Sequence, residues 1–84
     1  MKIDDPLFKS KAKITQEEAE KIALSFLPGK VEQCNPILEC IGKAVYEFDI
    51  VNSSGREFKV GIDAEAGTLQ DFYPEYGEMG ESMN

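Results

Sequence analysis

The side chains in this 84-residue chain that could do chemistry are sixteen carboxylates and two cysteines, with no histidine among them. Without histidine there is no Ser-His-Asp or Cys-His nucleophile, no ordinary neutral-pH proton shuttle and no imidazole for a catalytic zinc. Paired carboxylates cleave glycosides only when held across a substrate cleft, and a chain this short has little material to build one. No catalytic residue, cofactor or metal ligand is expected. Cys34 and Cys40 match none of the Cys-x-x-Cys spacings of zinc or redox sites. Along one regular strand they would stand about 20 Å apart, out of disulfide reach unless the chain bends at Pro36. Free thiols packed as small apolar groups, a strained bridge and an intermolecular pair all stay open.

Two other motifs have plainer explanations. Asp63, Glu65 and Gly67 resemble the start of a calcium loop, but no closing glutamate follows where the chain runs into Thr68, Leu69 and Pro74. A hairpin turn accounts for them. Asn52-Ser53-Ser54 is formally a glycosylation acceptor, and it also reads as a turn before Gly55.

The formal charge of −7 and a pI near 4.5 set the overall field against phosphate backbones and anionic lipid, so nucleic acid and membrane surfaces are poor partners. Lys9, Lys11 and Lys13 form a small basic run that needs no role beyond solvation. No apolar stretch approaches the ~20 residues of a membrane helix, and Met-Lys-Ile-Asp-Asp lacks the apolar core of a signal peptide. The compartment is not read from these features, and a cytoplasmic location stays open.

The elements follow from caps, periods and turns. Thr15-Gln16-Glu17-Glu18 fits a capping box. Beyond it Ala19, Ile22, Ala23, Phe26 and Leu27 recur at helical spacing, and Pro28-Gly29 stops the helix, with glycine suited to a left-handed conformation. Val31 to Cys40 reads as a strand made irregular by Pro36 and therefore placed at a sheet edge. Ala44 to Val51 alternates, with Tyr46, Phe48 and Ile50 on one face and Glu47 and Asp49 on the other. Glu57 to Asp63 repeats the pattern with Phe58, Val60 and Ile62 inward. Gly61 in mid-strand marks a bulge, a close approach of a ligand or partner to the backbone, or relief of crowding beneath a neighbouring side chain. Thr68 to Tyr73 is the last strand.

The expected fold is α+β, one amphipathic helix packed on one face of a four-stranded antiparallel meander. Residues 1–13 form an arm that either docks through Leu7 and Phe8 or stays mobile, residues 14–74 a single domain, and residues 75–84 a flexible acidic tail. Phe26, Phe48 and Phe58 are expected to fill the space between helix and sheet, which disfavours a small-molecule site there. Tyr73 and Tyr76, flanking Pro74, are the candidate partner-binding residues, against the plainer reading of packing at a sheet rim.

Taken together, Ile14-Thr15-Gln16-Glu17-Glu18-Ala19, Pro28-Gly29-Lys30-Val31, Val45-Tyr46-Glu47-Phe48-Asp49-Ile50 and Val60-Gly61-Ile62-Asp63-Ala64-Glu65-Ala66-Gly67-Thr68-Leu69 resemble a PepSY domain. Cys34, Pro36, Cys40 and both tails depart from its pattern. The resemblance implies a bacterial, non-enzymatic binding module, secreted or in the cell envelope, that inhibits or regulates a peptidase. The alternative is a structural or self-associating domain acting through exposed sheet edges, with a homo-oligomer as its product.

Overall fold

The computed structural model describes residues 6–75. Helix α1 spans Pro6–Lys11 and α2 spans Gln16–Phe26, followed by β1 (Lys30–Leu38), β2 (Ala44–Val51), β3 (Glu57–Asp63) and β4 (Leu69–Pro74). The strands form one antiparallel sheet in the order β1-β2-β3-β4. This is the α+β meander expected, with a short second helix added at its start.

The capping box of α2 is formed. The Glu18 amide donates to the Thr15 hydroxyl at 3.1 Å, and the Thr15 amide donates to the Glu18 carboxylate at 2.8 Å. The helix seats on the sheet through Ala19 and Ala23, both without solvent exposure, so the volume beneath it is filled from below by Phe48, Ile50, Val60 and Ile62. Small helix residues against large strand residues let the backbones approach closely while packing density is kept.

Phe26 does not join this core. It stands at the last turn of α2 and is 46% exposed, while Phe58 is half-buried, so of the three phenylalanines expected between helix and sheet only Phe48 is fully enclosed. A side chain on the final turn overhangs the layer beneath, however well its spacing fits the stripe.

Gly29 also differs from expectation in its reason. It has no positive φ; instead a Cβ there would collide with the Val51 carbonyl oxygen and press on Ile50. Glycine is needed because the chain leaving the helix passes directly against the end of β2. The irregularity in β1 likewise falls at Glu32, where the register shifts between Val31 and Gln33, and not at Pro36, which pairs with Tyr46 in register. Pro36 does sit on an edge strand, as a residue without an N–H requires.

The arm is docked by α1. Phe8 is 1% exposed and packs edge-on against Tyr46 with ring centroids 5.1 Å apart, whereas Leu7 lies at the surface. The linker behind it is tied down twice. The Lys13 and Ile14 amides both donate to the Ala64 carbonyl, and the Tyr46 hydroxyl donates to the Ile14 carbonyl at 3.0 Å. Phe8→Ala is therefore expected to lower unfolding stability by about 3 kcal/mol, measured by urea denaturation of the full chain; a change below about 0.5 kcal/mol, typical of a surface position, would show that α1 adds nothing to the core.

Candidate functional site

β4 and the open face of the sheet carry the candidate site. The turn that delivers β4 is built by Asp63 and Gly67. Asp63 Oδ1 accepts from the amides of Glu65 and Ala66 at 2.8 and 3.0 Å, Lys43 Nζ lies 3.4 Å from Oδ2, and Gly67 takes φ 76°. Burial works to raise the Asp63 pKa, but the two amides and Lys43 outweigh it and hold the carboxyl below its ordinary value. These three groups use the oxygens that a calcium loop would need.

On the face away from α2, register places Glu47, Asp49, Lys59, Gly61, Asp71 and Tyr73 side by side. Lys59 is the hub. Its ammonium lies 3.1 Å from Asp49, 3.3 Å from Glu75 and 3.7 Å from Glu47, and so links β2, β3 and the end of β4. Burial opposes its charge, yet these carboxylates prevail and raise its pKa. Asp49 Oδ1 is buried, and the Lys59 ammonium 3.1 Å away is its charged partner among the described residues. Glu47 is pushed up from its ordinary value by burial, with Lys59 pulling the other way and Asp49 adding to the rise. Three carboxylates thus share one ammonium, while a fourth on the same face, Asp71, has no ion pair among the described residues.

Gly61 combines two of its expected roles. The register between β3 and β4 shifts at Gly61 and Ile62, and a Cβ on Gly61 would press on Val45 Cγ1 at 3.3 Å and on Asp71. Tyr73 pairs with Lys59 and is 46% exposed on the open face. Tyr76 lies outside the described residues. Phe72, paired with Val60, points to the helix side of the sheet, where it meets Phe58 edge-on at 5.9 Å and remains 45% exposed; Leu69 is exposed on the same side. Neither Phe72 nor Leu69 was singled out in the sequence, although the alternation of β4 separates Phe72 from Tyr73 onto opposite faces. The Lys59 hub was also legible in principle, because hairpin register sets Lys59 opposite Asp49.

A second, shallow groove lies between α1 and the start of α2, bordered by Phe8, Ala12, Ile14 and Tyr46. Both cysteines are free. Cys34 packs against the core from β1, where burial, then Glu20 and Asp49, push its thiol up to about 12; Cys40 is exposed in the turn after β1. The Asn52 turn is closed by its own side chain, whose Oδ1 accepts from the Ser54 amide, the Ser54 hydroxyl and the Arg56 amide. Among the described residues no group of three or more His, Cys, Asp or Glu side chains is placed to hold a metal ion.

Fold and surface together define a small α+β domain: an antiparallel meander backed by a helix on one face, with a charged opposite face and an uncovered terminal strand. The chain belongs to the PepSY family, described as the peptidase propeptide and YPEB domain, whose model matches residues 13–73. That family is one of propeptide and regulatory domains rather than catalytic ones, and is usually extracellular or envelope-associated. No curated protein and no solved structure matches the chain. No helix among the described residues is long and apolar enough to cross a membrane.

Two outcomes follow from this geometry. Because the Asp63 pKa is lowered on folding, its contribution is complete above the unfolded value of about 4 and fades as pH falls through the folded value. Asp63→Ala should thus cost about 1–3 kcal/mol at neutral pH, and the gap from wild type in urea titrations should narrow below about pH 4; a gap independent of pH would contradict it. In the native protein a thiol-alkylating reagent at neutral pH should label Cys40 and spare Cys34, since the thiolate is the reactive form. Equal labelling, read by peptide mass mapping, would contradict the packing of Cys34.

Proposed function

We propose that the protein is a non-enzymatic protein-binding module that regulates a peptidase in the bacterial cell envelope or extracellular space, and that β4 is where the partner engages. Membership of the family of peptidase propeptides supports the partner class. The observation that carries the site is the open edge of β4: among the described residues no strand pairs with its outer side. Glu75 donates its amide to the Glu57 carbonyl, so in the alternation of an antiparallel ladder residues 71, 73 and 75 turn their backbone groups towards β3. Phe72 then presents its N–H and C=O outward, and Pro74 its C=O alone. An extended segment of a partner can add to that edge through main-chain hydrogen bonds, with side-chain contacts giving selectivity. Tyr73 supplies rigid aromatic area beside it; Tyr76, outside the described residues, is proposed as a second contact residue on its sequence position alone.

The test is a panel of secreted metallopeptidases assayed for binding and inhibition by the full chain. At least one is expected to bind, and Tyr73→Ala is expected to weaken it on the order of tenfold without moving the melting temperature. Uniform inactivity across the panel would remove the peptidase reading. Self-association through the same edge is the competing account; sedimentation over a concentration series is expected to show a monomer, and a growing oligomer would favour that account instead.

A further inference from the structure

We propose that the segment β4 recruits is an extended strand in which basic residues alternate with apolar ones; this rests on the edge-pairing reading above and adds the chemistry of the partner to it. The two sides of β4 differ in kind. Towards the open face it shows Asp71, Tyr73 and then Glu75, set against Glu47 and Asp49; the Lys59 ammonium is already occupied by three of the carboxylates, and Lys43, beside Gln70, is taken up by Asp63. Towards the helix side it shows Leu69 and Phe72, both exposed, with Phe58 behind them.

A strand lying alongside β4 would set its side chains about 5 Å from those of β4 on each face, with alternate residues meeting opposite faces. The residues on the open face would meet excess negative charge beside a tyrosine ring. Lysine or arginine suits both, placing its cationic head by Asp71 or Glu75 and its methylene stem or charge over Tyr73. Acidic residues there would stand opposite like charge, which opposes pairing. The residues on the other face would meet Leu69 and Phe72, whose partly exposed surface is removed from water only by an apolar contact. Such alternation also disfavours the obvious competitor. A second copy of this chain would bring one acidic face against another, each molecule carrying a net charge of −7, whereas that same charge speeds the approach of a cationic strand.

The probe is a short synthetic peptide of alternating lysine and valine, titrated into the isotope-labelled full chain and followed by amide chemical shifts, beside a glutamate-valine counterpart and a lysine-valine peptide interrupted by proline. The lysine-valine peptide is expected to shift the Phe72 amide, to bind at least about tenfold more tightly than the glutamate peptide, and to weaken as salt is raised. The proline-interrupted peptide is expected to lose most of this binding, since it lacks a ladder donor. Asp71→Lys, checked for an unchanged melting temperature, is expected to narrow the preference for the lysine peptide over the glutamate peptide. Equal binding of lysine and glutamate peptides, shifts confined to the groove beside Phe8, or no binding by any peptide would overturn the proposal. If a metallopeptidase binds through Tyr73 while the charged peptides bind alike, the edge stands and its charge selection falls; if the lysine peptide binds at Phe72 while no peptidase does, the strand chemistry stands and the peptidase reading falls.

Discussion

One helix cannot cover four strands, and most of this architecture follows from that mismatch. α2 has 11 residues, about 16 Å of length and some 10 Å of width, whereas strands repeat about every 4.8 Å across the sheet. It therefore rests on β2 and β3, where the fully enclosed residues Phe48, Ile50, Val60 and Ile62 are found. The flank towards β1 is closed by α1, with Phe8 capping Tyr46. Nothing comparable among the described residues closes the flank towards β4, and the exposure of Phe72 and Leu69 is the direct result.

The opposite face is organised by charge instead of apolar burial. Lys59 draws together carboxylates from β2 and from the residue after β4, and its partial burial makes these contacts stronger than ordinary surface pairs. Balance is incomplete, since Glu47, Asp49, Asp71 and Glu75 outnumber Lys59, and Lys43 is already paired with Asp63. The same hub that fixes β4 to the sheet thus leaves a negative potential beside its edge. One arrangement thus has two effects: the groups that fasten the end of β4 to the sheet also make its surroundings acidic.

What could be read from the sequence was what local chemistry determines. Thr15 and Glu18 specify a helix start because both hydrogen bonds lie within one turn, Asp63 and Gly67 specify a hairpin for the same reason, and the alternation through Tyr46 to Ile50 specifies an inner face. Contacts between distant segments were less accessible. α1 has six residues, too few for a periodicity, and it lies outside the stretch matched by the family; only its docking against Tyr46 reveals it as core. Gly29 was assigned a turn conformation when its constraint is the Val51 carbonyl, twenty-two residues later in the chain. Phe26 fitted the apolar stripe, but periodicity carries no information about where the sheet beneath it ends. For the candidate site, Tyr73 was visible as an aromatic near a strand end, while the roles of Phe72, Asp71 and Lys59 depend on register across three strands.

The two rims of the sheet are not equivalent. β1 carries a displaced residue at Glu32 and a proline at position 36, features that twist an edge and interrupt its row of donors. Any chain that joins β4 would have no matching surface at the far side onto which a further molecule could continue the ladder. On the reading proposed above the domain has a valence of one: a single guest strand is taken up at β4, and β1 offers no second row of donors from which a ladder would continue.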